Sequence, residues 1–431
     1  VFSQHFLDTI KIGEIKISGQ HHFKKEEAGI KSTKVDSMIM IDKINVSLSE
    51  ILSQNTTVFI KDLGRGALAT ASFRGTAPTH TQVYWNGIPI NSPMLGMTDF
   101  SLIPAFIIDD LELNHGSASL QSGSGGLGGS IVIQNAPGWD NRFSWKYFQG
   151  LGSYSTYDEF LQLNAGNKKF QSKTRLYHNY SKNDYEYINK TIQERPLVRN
   201  ENADYMKKGL TQEFYVRPSE SDVITVKVWG QISDRSLPSV VSYEGDSQSN
   251  LNSQIDTTLK ASADWTCYID KIKFTVRSGI DFQKTRYTLK NRINGVGIIP
   301  AINSSSTAIS WYNHLIFEHN LTKYLSYNVT FDYNRFDVNT FEEIRKTGYD
   351  RIRNDFLLFG GIYYNISEKL NLSLMLRDEY SGKSLSPVMF NMGVSYRPFA
   401  KQDFILKANF SRNYHQPTLN DLYWQPGGNP D

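Results

Sequence analysis

Reactive side chains are the first place to look for chemistry, and here they form no constellation. The nine histidines supply no His-x-x-x-His or Glu-x-x-His pair on a predicted helix, so the spacing of a helical zinc site is missing. Serine, histidine and aspartate are abundant but fall into no nucleophile motif. The glycines around Arg65 follow no dinucleotide- or phosphate-binding pattern. A single cysteine, Cys267, excludes an intramolecular disulfide and any cysteine-rich metal cluster. The 46 basic and 43 acidic residues give a net charge of +3 without a long basic run, so nucleic-acid binding has no footprint. These observations read as a protein that is not an enzyme and holds no metal or resident cofactor. Its information lies in alternation.

The stretch LNLSLMLR places Leu370, Leu372, Leu374 and Leu376 on one side of an extended chain and Asn371, Ser373, Met375 and Arg377 on the other. In a soluble sheet the leucines would meet a protein core. In an outer-membrane barrel they would meet lipid, and the polar set would meet a wet lumen that tolerates substitution. The whole chain must decide between these. It has 431 residues, 39% hydrophobic and 13% aromatic, with a mean hydropathy of −0.43. No window approaches 18 consecutive apolar residues, which excludes a transmembrane helix. A barrel stays open, because only every second residue of its strands faces lipid. The N-terminus, VFSQHF, is too short and polar for a complete signal peptide.

The texture changes near Pro137. Before it the sequence is glycine-rich and mixed. SLSEIL offers Ser47 as an N-cap with Glu50 three residues on, a capping box for a short helix. TQVYWNGIPI reads as two strands around Asn86-Gly87, a two-residue hairpin. A glycine-dense turn then leads into a strand over 130–133. After Pro137, segments such as LSYNVTFDY and FILKANFS alternate over their whole length. Short turns near Asn167, Pro218, Asp270, Thr322, Ser367 and Pro398 alternate with longer polar loops near 185–206, 237–253, 288–306 and 338–350. That asymmetry is the mark of a bacterial outer-membrane barrel.

Three further features favour a barrel over a soluble sandwich. The strands run to roughly 10–14 residues, beyond the soluble mode of about five or six. Aromatic residues recur in WKYF, RLYHNY and IYYN, where interfacial girdles would put them. The inward face carries Lys, Arg, Asn and Asp, which a dry core would not accept unpaired. About thirteen strands fit between Phe143 and Tyr414, after which HQPTLNDLYWQPGGNPD reads as a loop. A single-chain barrel should close with an even number, so the sequence reads as a truncated one.

ASFRGTAPTHTQVYWNGIPIN resembles the plug signature of TonB-dependent outer-membrane receptors, in which Arg-Gly precedes a strand and then Asp-Gly. The corresponding residues are Arg74-Gly75 and Asn86-Gly87, and the Asp-to-Asn departure keeps the turn. LELNHGSASLQSGSGGLGGSIVI is similar to the last plug element of that family, with Gly128-Gly129 before the apolar strand and Ser117 in place of Pro. PTLNDLYWQPGGNPD resembles a barrel loop motif ending in Gly-Asn-Pro. The resemblance implies an all-β membrane protein: an N-terminal segment over 1–30, a plug domain over 31–137, and the N-terminal part of a 22-stranded barrel over 138–431. Within the family, the plug wording and PTLNDLYW are most similar to vitamin B12 receptors of Bacteroidota. Siderophore and haem receptors share the grammar, and a passive porin or adhesin is the alternative from another class.

From that resemblance follow the expected sites and partners. Import would draw on TonB, with ExbB and ExbD in the inner membrane, through a short segment that adds a strand to TonB. GEIKISG, containing Glu14, Ile15, Lys16, Ile17 and Ser18, is the candidate box; DTIKI, Asp8 to Ile12, competes with it, and a merely flexible strand is the bland alternative. Substrate would meet KDLGRGALATA and NSPMLGMTD, through Arg65, Met94, Leu95 and Met97. The methionines suit a large apolar ligand such as cobalamin better than a small charged chelate. The alternatives are a solvated Arg65 and methionines packed against the wall. Arg74 is expected in a strand, buried, and paired with Asp281, Asp332 or Glu379 of the wall. Relatives can order loops with calcium, and Asp184 and Glu186 in KNDYEY would be the oxygen ligands if this chain did so. A surface substrate-binding lipoprotein is a further possible partner of a monomer embedded in outer-membrane lipid.

Overall fold

The computed structural model describes residues 28–116, 120, 126–191, 193–238, 250–293, 296–367, 369–382, 384–399 and 404–430. Both candidate TonB boxes lie outside these residues. The N-terminal domain comprises β1 (Lys31–Val35), α1 (Ser37–Asp42), α2 (Leu48–Asn55), β2 (Phe59–Asp62), β3 (Ala69–Ser72), β4 (Thr81–Trp85), β5 (Ile88–Pro89), β6 (Asp110–His115) and β7 (Gly129–Gln134). Five of these strands form a sheet in the order β1-β6-β7-β4-β5, with β4 and β7 parallel. The alternation in β6 turns Leu111, Leu113 and His115 inward, and α2 lays Leu48, Ile51 and Leu52 against the same core. Asn86 and Gly87 close the β4–β5 hairpin at φ 50° and 84°, values that a two-residue type I′ turn requires. The capping box at α2 does not form. Ser47 is the N-cap without a side-chain cap bond; its hydroxyl meets Ser49 Oγ at 2.6 Å, and Glu50 turns toward Arg65 instead.

The rest of the chain is one antiparallel wall. Its strands are β8 (Phe143–Gly152), β9 (Thr156–Gly166), β10 (Phe170–Ser181), β13 (Tyr205–Val216), β14 (Asp222–Leu237), β15 (Asn250–Ile269), β16 (Ile272–Ile293), β17 (Gly297–Asn320), β18 (Leu325–Glu342), β19 (Thr347–Ser367), β20 (Leu370–Ser381), β22 (Met389–Tyr396) and β23 (Leu406–Arg412). They pair in this order from β8 to β23, and the two-residue β21 (Ser384–Leu385) pairs beside β20. A small separate hairpin, β11 (Glu186–Ile188) with β12 (Leu197–Arg199), stands in the long connection before β13. Among the described residues β8 and β23 do not pair with each other, so the wall is an open sheet.

On β20, Leu372 and Leu376 are exposed on the outer face while Ser373, Met375, Arg377 and Glu379 are buried on the inner one. The leucines do face outward, but the inner face is not a wet lumen, because the N-terminal domain covers it. Ser373 Oγ donates to the carbonyl of Ala28 at 3.1 Å, Lys407 Nζ to that of Ile30 at 2.7 Å, and the Phe106 ring packs at a tilt against Phe160 of β9, with centroids 4.9 Å apart. One small domain touches strands from β9 to β23, which requires the sheet to curve around it. A porin-like barrel keeps an open lumen; here the concave face is filled.

The expected strand length is corrected. The strands reach 24 residues, because the segments near 288–306 and 338–350 continue the β16–β17 and β18–β19 ladders beyond the thickness of a bilayer. Aromatic position is corrected too. Tyr177 and Tyr363 are inward and buried, whereas Tyr147 and Tyr364 face out. The stretch after β23 is also not all loop: α3 (Leu419–Tyr423) is opened by a capping box in which Thr418 and Asp421 bond reciprocally.

Candidate functional site

A hollow on the concave side has a volume of about 870 Å³. The plug loop between β5 and β6 contributes Met94, Leu95 and Met97, the wall contributes Trp229 and Gln283, the β11 hairpin Tyr185 and Tyr187, and α3 brings Trp424. It lies toward the long-loop end of the strands, the extracellular end of such barrels. The three apolar residues of NSPMLGMTD therefore share one cavity. Met94 is 7% exposed and Leu95 47%, so Leu95 is offered to the cavity while Met94 is partly spent on packing.

Charge at the floor of this cavity is already neutralised. Arg235 Nη1 lies 2.7 Å from Asp99 Oδ2 and its Nη2 3.3 Å from Asp256 Oδ2. Lys260 Nζ sits 2.7 Å from Asp281 Oδ1 and over the Trp229 ring at 5.6 Å. Asp99 Oδ1 also accepts from the amides of Ala69 and Ser101 at 3.1 and 3.0 Å. What remains for a ligand is apolar and aromatic surface with amide groups from Gln231, Gln254, Gln283 and Asn420. Such walls favour a large neutral molecule bearing amides or hydroxyls over a small ion.

Arg65 is not part of this cavity. It lines a neighbouring hollow with Glu50, Asp158, Tyr205 and Lys207, and its Nε stands 3.7 Å from Glu50 Oε1. Its carbonyl accepts from Asn183 Nδ2 at 3.1 Å, which ties that loop to the wall. Asp184 is engaged by Arg199 at 2.6 Å, and among the described residues no group of three or more metal-ligating side chains is assembled.

The plug motif residues act as structural joints. Gly87 lies directly under the Arg277 guanidinium, which occupies the space a Cβ would need, so only glycine allows that approach. Gly128 and Gly129 are similarly confined, by Thr76 Oγ1 and the carbonyl of Asn114 respectively. Asn86 Oδ1 accepts from Asn135 N and from Lys227 Nζ, both at 2.9 Å. Arg74 differs from expectation. It sits at φ 49° in an exposed turn with Gly75 at φ 77°, and the proposed carboxylates are engaged elsewhere: Asp281 by Lys260, Asp332 by His314 and Glu379 by Arg377. A turn that closes after β3 points its side chains to solvent, so Arg74 never reaches the wall.

The cations that do hold the plug come from the wall. Arg175 pairs with Asp109 and, at 3.0 Å, with Glu213. Lys173 adds to Asp109 at 2.6 Å. Burial alone would raise the Asp109 carboxyl, but Arg175 and then Lys173 hold it below the ordinary carboxylate range. Arg377 Nη1 donates to the carbonyl of Leu120 at 2.9 Å. These residues, with Trp229, Arg235 and Trp424, escaped the sequence reading. An inward strand position reads only as polar, and nothing local says which plug group it meets.

A model of the TonB-dependent receptor plug domain matches residues 24–130, and one of the TonB-dependent receptor-like β-barrel matches residues 217–431. The vitamin B12 transporter BtuB of Vibrio vulnificus is 22% identical over 426 residues, covering 94% of this chain and 63% of that protein. The protein of the same name from Photobacterium profundum is 25% identical over 409 residues, with 91% and 60% covered. The chain thus spans about three-fifths of the length of these relatives. Among solved structures, the copper transporter OprC superposes with a TM-score of 0.73 at 12% identity, over 92% of this chain and 65% of that one. The siderophore receptor PirA from Acinetobacter baumannii does so with 0.67 at 13%, over 91% and 62%. At these identities the structural likeness speaks for the fold alone.

Proposed function

Because the chain belongs to the TonB-dependent receptors of the bacterial outer membrane, we propose that the protein imports a large, scarce nutrient in an energy-coupled step, and that this nutrient is cobalamin. A plug filling the concave face keeps solutes out, so passage requires the plug to move, and TonB with ExbB and ExbD would supply the force. The observation that carries the ligand reading is the cavity of about 870 Å³, near the upper end of the ~300–1,000 Å³ of ordinary ligand pockets. It is lined by Met94, Leu95, Met97 and Trp424, and the charges at its floor are internally paired. Two relatives named as vitamin B12 transporters support it. The solved siderophore receptors share the fold, yet a ferric chelate of high charge would find no free cation at Arg235 or Lys260.

The test is a titration of the full-length receptor with cyanocobalamin, compared with a ferric siderophore. Saturable binding of cyanocobalamin is expected, with at least about tenfold weaker binding in Trp424→Ala, since an aromatic platform of this kind contributes on the order of 1.5 kcal/mol or more. Binding of the siderophore in its place would reassign the nutrient while leaving the importer reading intact.

A further inference from the structure

Four side-chain amides that line the cavity of about 870 Å³ are each held at one end by a neighbour, which fixes what the other end offers. On β14, Gln231 Oε1 accepts from the Tyr177 hydroxyl at 2.6 Å, and that hydroxyl accepts from Trp229 Nε1 at 2.8 Å. An indole N–H only donates, so the tyrosine oxygen is the acceptor in that bond and its own proton goes to Gln231. Tyr177 is 4% exposed. Turning the Gln231 amide round would leave a buried hydroxyl proton unpaired, which folded proteins avoid. The NH₂ end of Gln231 is therefore the one turned to the cavity.

Gln283 on β16 has the opposite setting. Its Nε2 donates to Asp281 Oδ2 at 2.7 Å and to the carbonyl of Ile90 in the plug at 3.4 Å. Carboxylate and carbonyl oxygens only accept, so both N–H groups are spent and Oε1 is the end that remains. Gln254 on β15 repeats the pattern, its Nε2 donating to the two oxygens of Asp256 at 3.1 and 3.0 Å. Asn420 of α3 follows Gln231, since its Oδ1 accepts from the Tyr349 hydroxyl at 2.6 Å and leaves Nδ2 to the cavity. Gln231 and Gln283 flank Thr258 in one row across β14, β15 and β16. Two strand spacings set them about 10 Å apart.

We infer that this fixed polarity is the specificity device of the cavity: the wall donates at Gln231 and accepts at Gln283, so a ligand must offer a carbonyl to β14 and an N–H to β16. The inference rests on the reading that the cavity takes the transported nutrient. A primary carboxamide carries both groups and satisfies either side. A carboxylate satisfies only Gln231, because at Gln283 it has no hydrogen to give and sets its charge against a carbonyl oxygen with Asp281 behind it. A site built to hydrogen-bond one group rejects the analogue that lacks it far more strongly than an apolar pocket can. Gln231 and Gln283 are the specificity-determining residues, and Tyr177, which does not line the cavity, is a positioning residue for Gln231.

Full-length receptor in detergent is titrated with cyanocobalamin and with its monocarboxylates, in each of which one side-chain amide has been hydrolysed. Wild type should bind cyanocobalamin at least about tenfold more tightly than one or more of the monocarboxylates. In Gln283→Met that preference should shrink at least about fivefold for the same monocarboxylate, whereas a loss of cavity shape would weaken both ligands alike and leave the ratio unmoved. Tyr177→Phe and Gln231→Leu should each weaken cyanocobalamin binding, and the double variant should be little worse than Gln231→Leu alone. Equal affinity of wild type for cyanocobalamin and every monocarboxylate overturns the inference, and that comparison needs no variant to fold. An unchanged preference in Gln283→Met overturns it as well, and additive losses in the double variant remove Tyr177 from it. Failure of wild type to bind cyanocobalamin at all is a separate result, which sinks the nutrient reading and this inference with it.

Discussion

Arg235 holds two acidic groups from different parts of the fold, Asp99 of the plug and Asp256 of the wall. Its side chain is 3% exposed, so removing it strands two carboxylates in a poorly hydrated place. Arg235→Met should lower the unfolding free energy of the plug by about 3–5 kcal/mol, followed by urea unfolding with tryptophan fluorescence as the probe. Adding Asp256→Asn should recover part of it, and a loss below about 1 kcal/mol would mean that water already reaches the pair. A second contact between plug and wall segment is titratable. His415 lies edge-on to His80 at 5.1 Å, its Nδ1 buried without a hydrogen-bond partner among the described residues. Burial, then the neighbouring His80, lower its pKa, with Arg353 adding to them and Asp421 opposing. A folded value below the unfolded one means that the unfolded chain binds more protons through this range, so the stability is present above the ordinary imidazole value of about 6.5 and is lost as pH falls through the folded value. Docking of the α3 segment should loosen on mild acidification, as hydrogen exchange of the Leu419 and Asn420 amides would report, since these donate to Pro93 and Met94. His415→Gln should flatten that dependence.

At the scale of one strand, β20 separates two environments by a single residue. Leu374 faces lipid, and Leu374→Arg should destabilise the barrel by about 2–4 kcal/mol near mid-membrane. Ser373 points the other way, and a wet lumen there would make Ser373→Arg nearly free. The structure reverses that expectation. Ser373 is 6% exposed and bonded to Ala28, with Gly393 so close that an added Cβ would stand 2.7 Å from Ser373 Oγ. Arginine there must push the start of the plug aside, at a cost of at least about 1–3 kcal/mol. Cysteine labelling separates the faces: a thiol at 374 should react with a lipid-partitioning probe, while one at 373 should resist both that probe and a water-soluble one until the plug is released. Ready labelling of 373 by the water-soluble reagent in the resting protein would show that the plug does not seal this strand.

Across the whole molecule the coupling segment is the part that import would pull. If Glu14 to Ser18 add a strand to TonB, Ile15→Pro should abolish uptake and leave cyanocobalamin binding intact, because proline removes a ladder donor. Normal uptake by that variant would move the segment to Asp8–Ile12 or remove it altogether. Much of the rest was legible without coordinates. The period of two in LNLSLMLR, the Asn86-Gly87 turn and the count of about thirteen strands are local patterns, fixed by the alternation of Cβ directions and by which residues tolerate positive φ. The family resemblance also rested on short motifs. The partners of the inward cations could not be read that way. Arg277 meets the Gly87 carbonyl across 190 residues, Lys227 meets Asn86 across 141, and Arg377 meets Leu120 across 257. A strand pattern states which face a side chain takes but carries no information on what stands opposite. That depends on the curvature of the sheet and the seating of the plug within it, so sequence assigned Arg74 to the wall and packing gave that work to Arg175, Arg235 and Arg377.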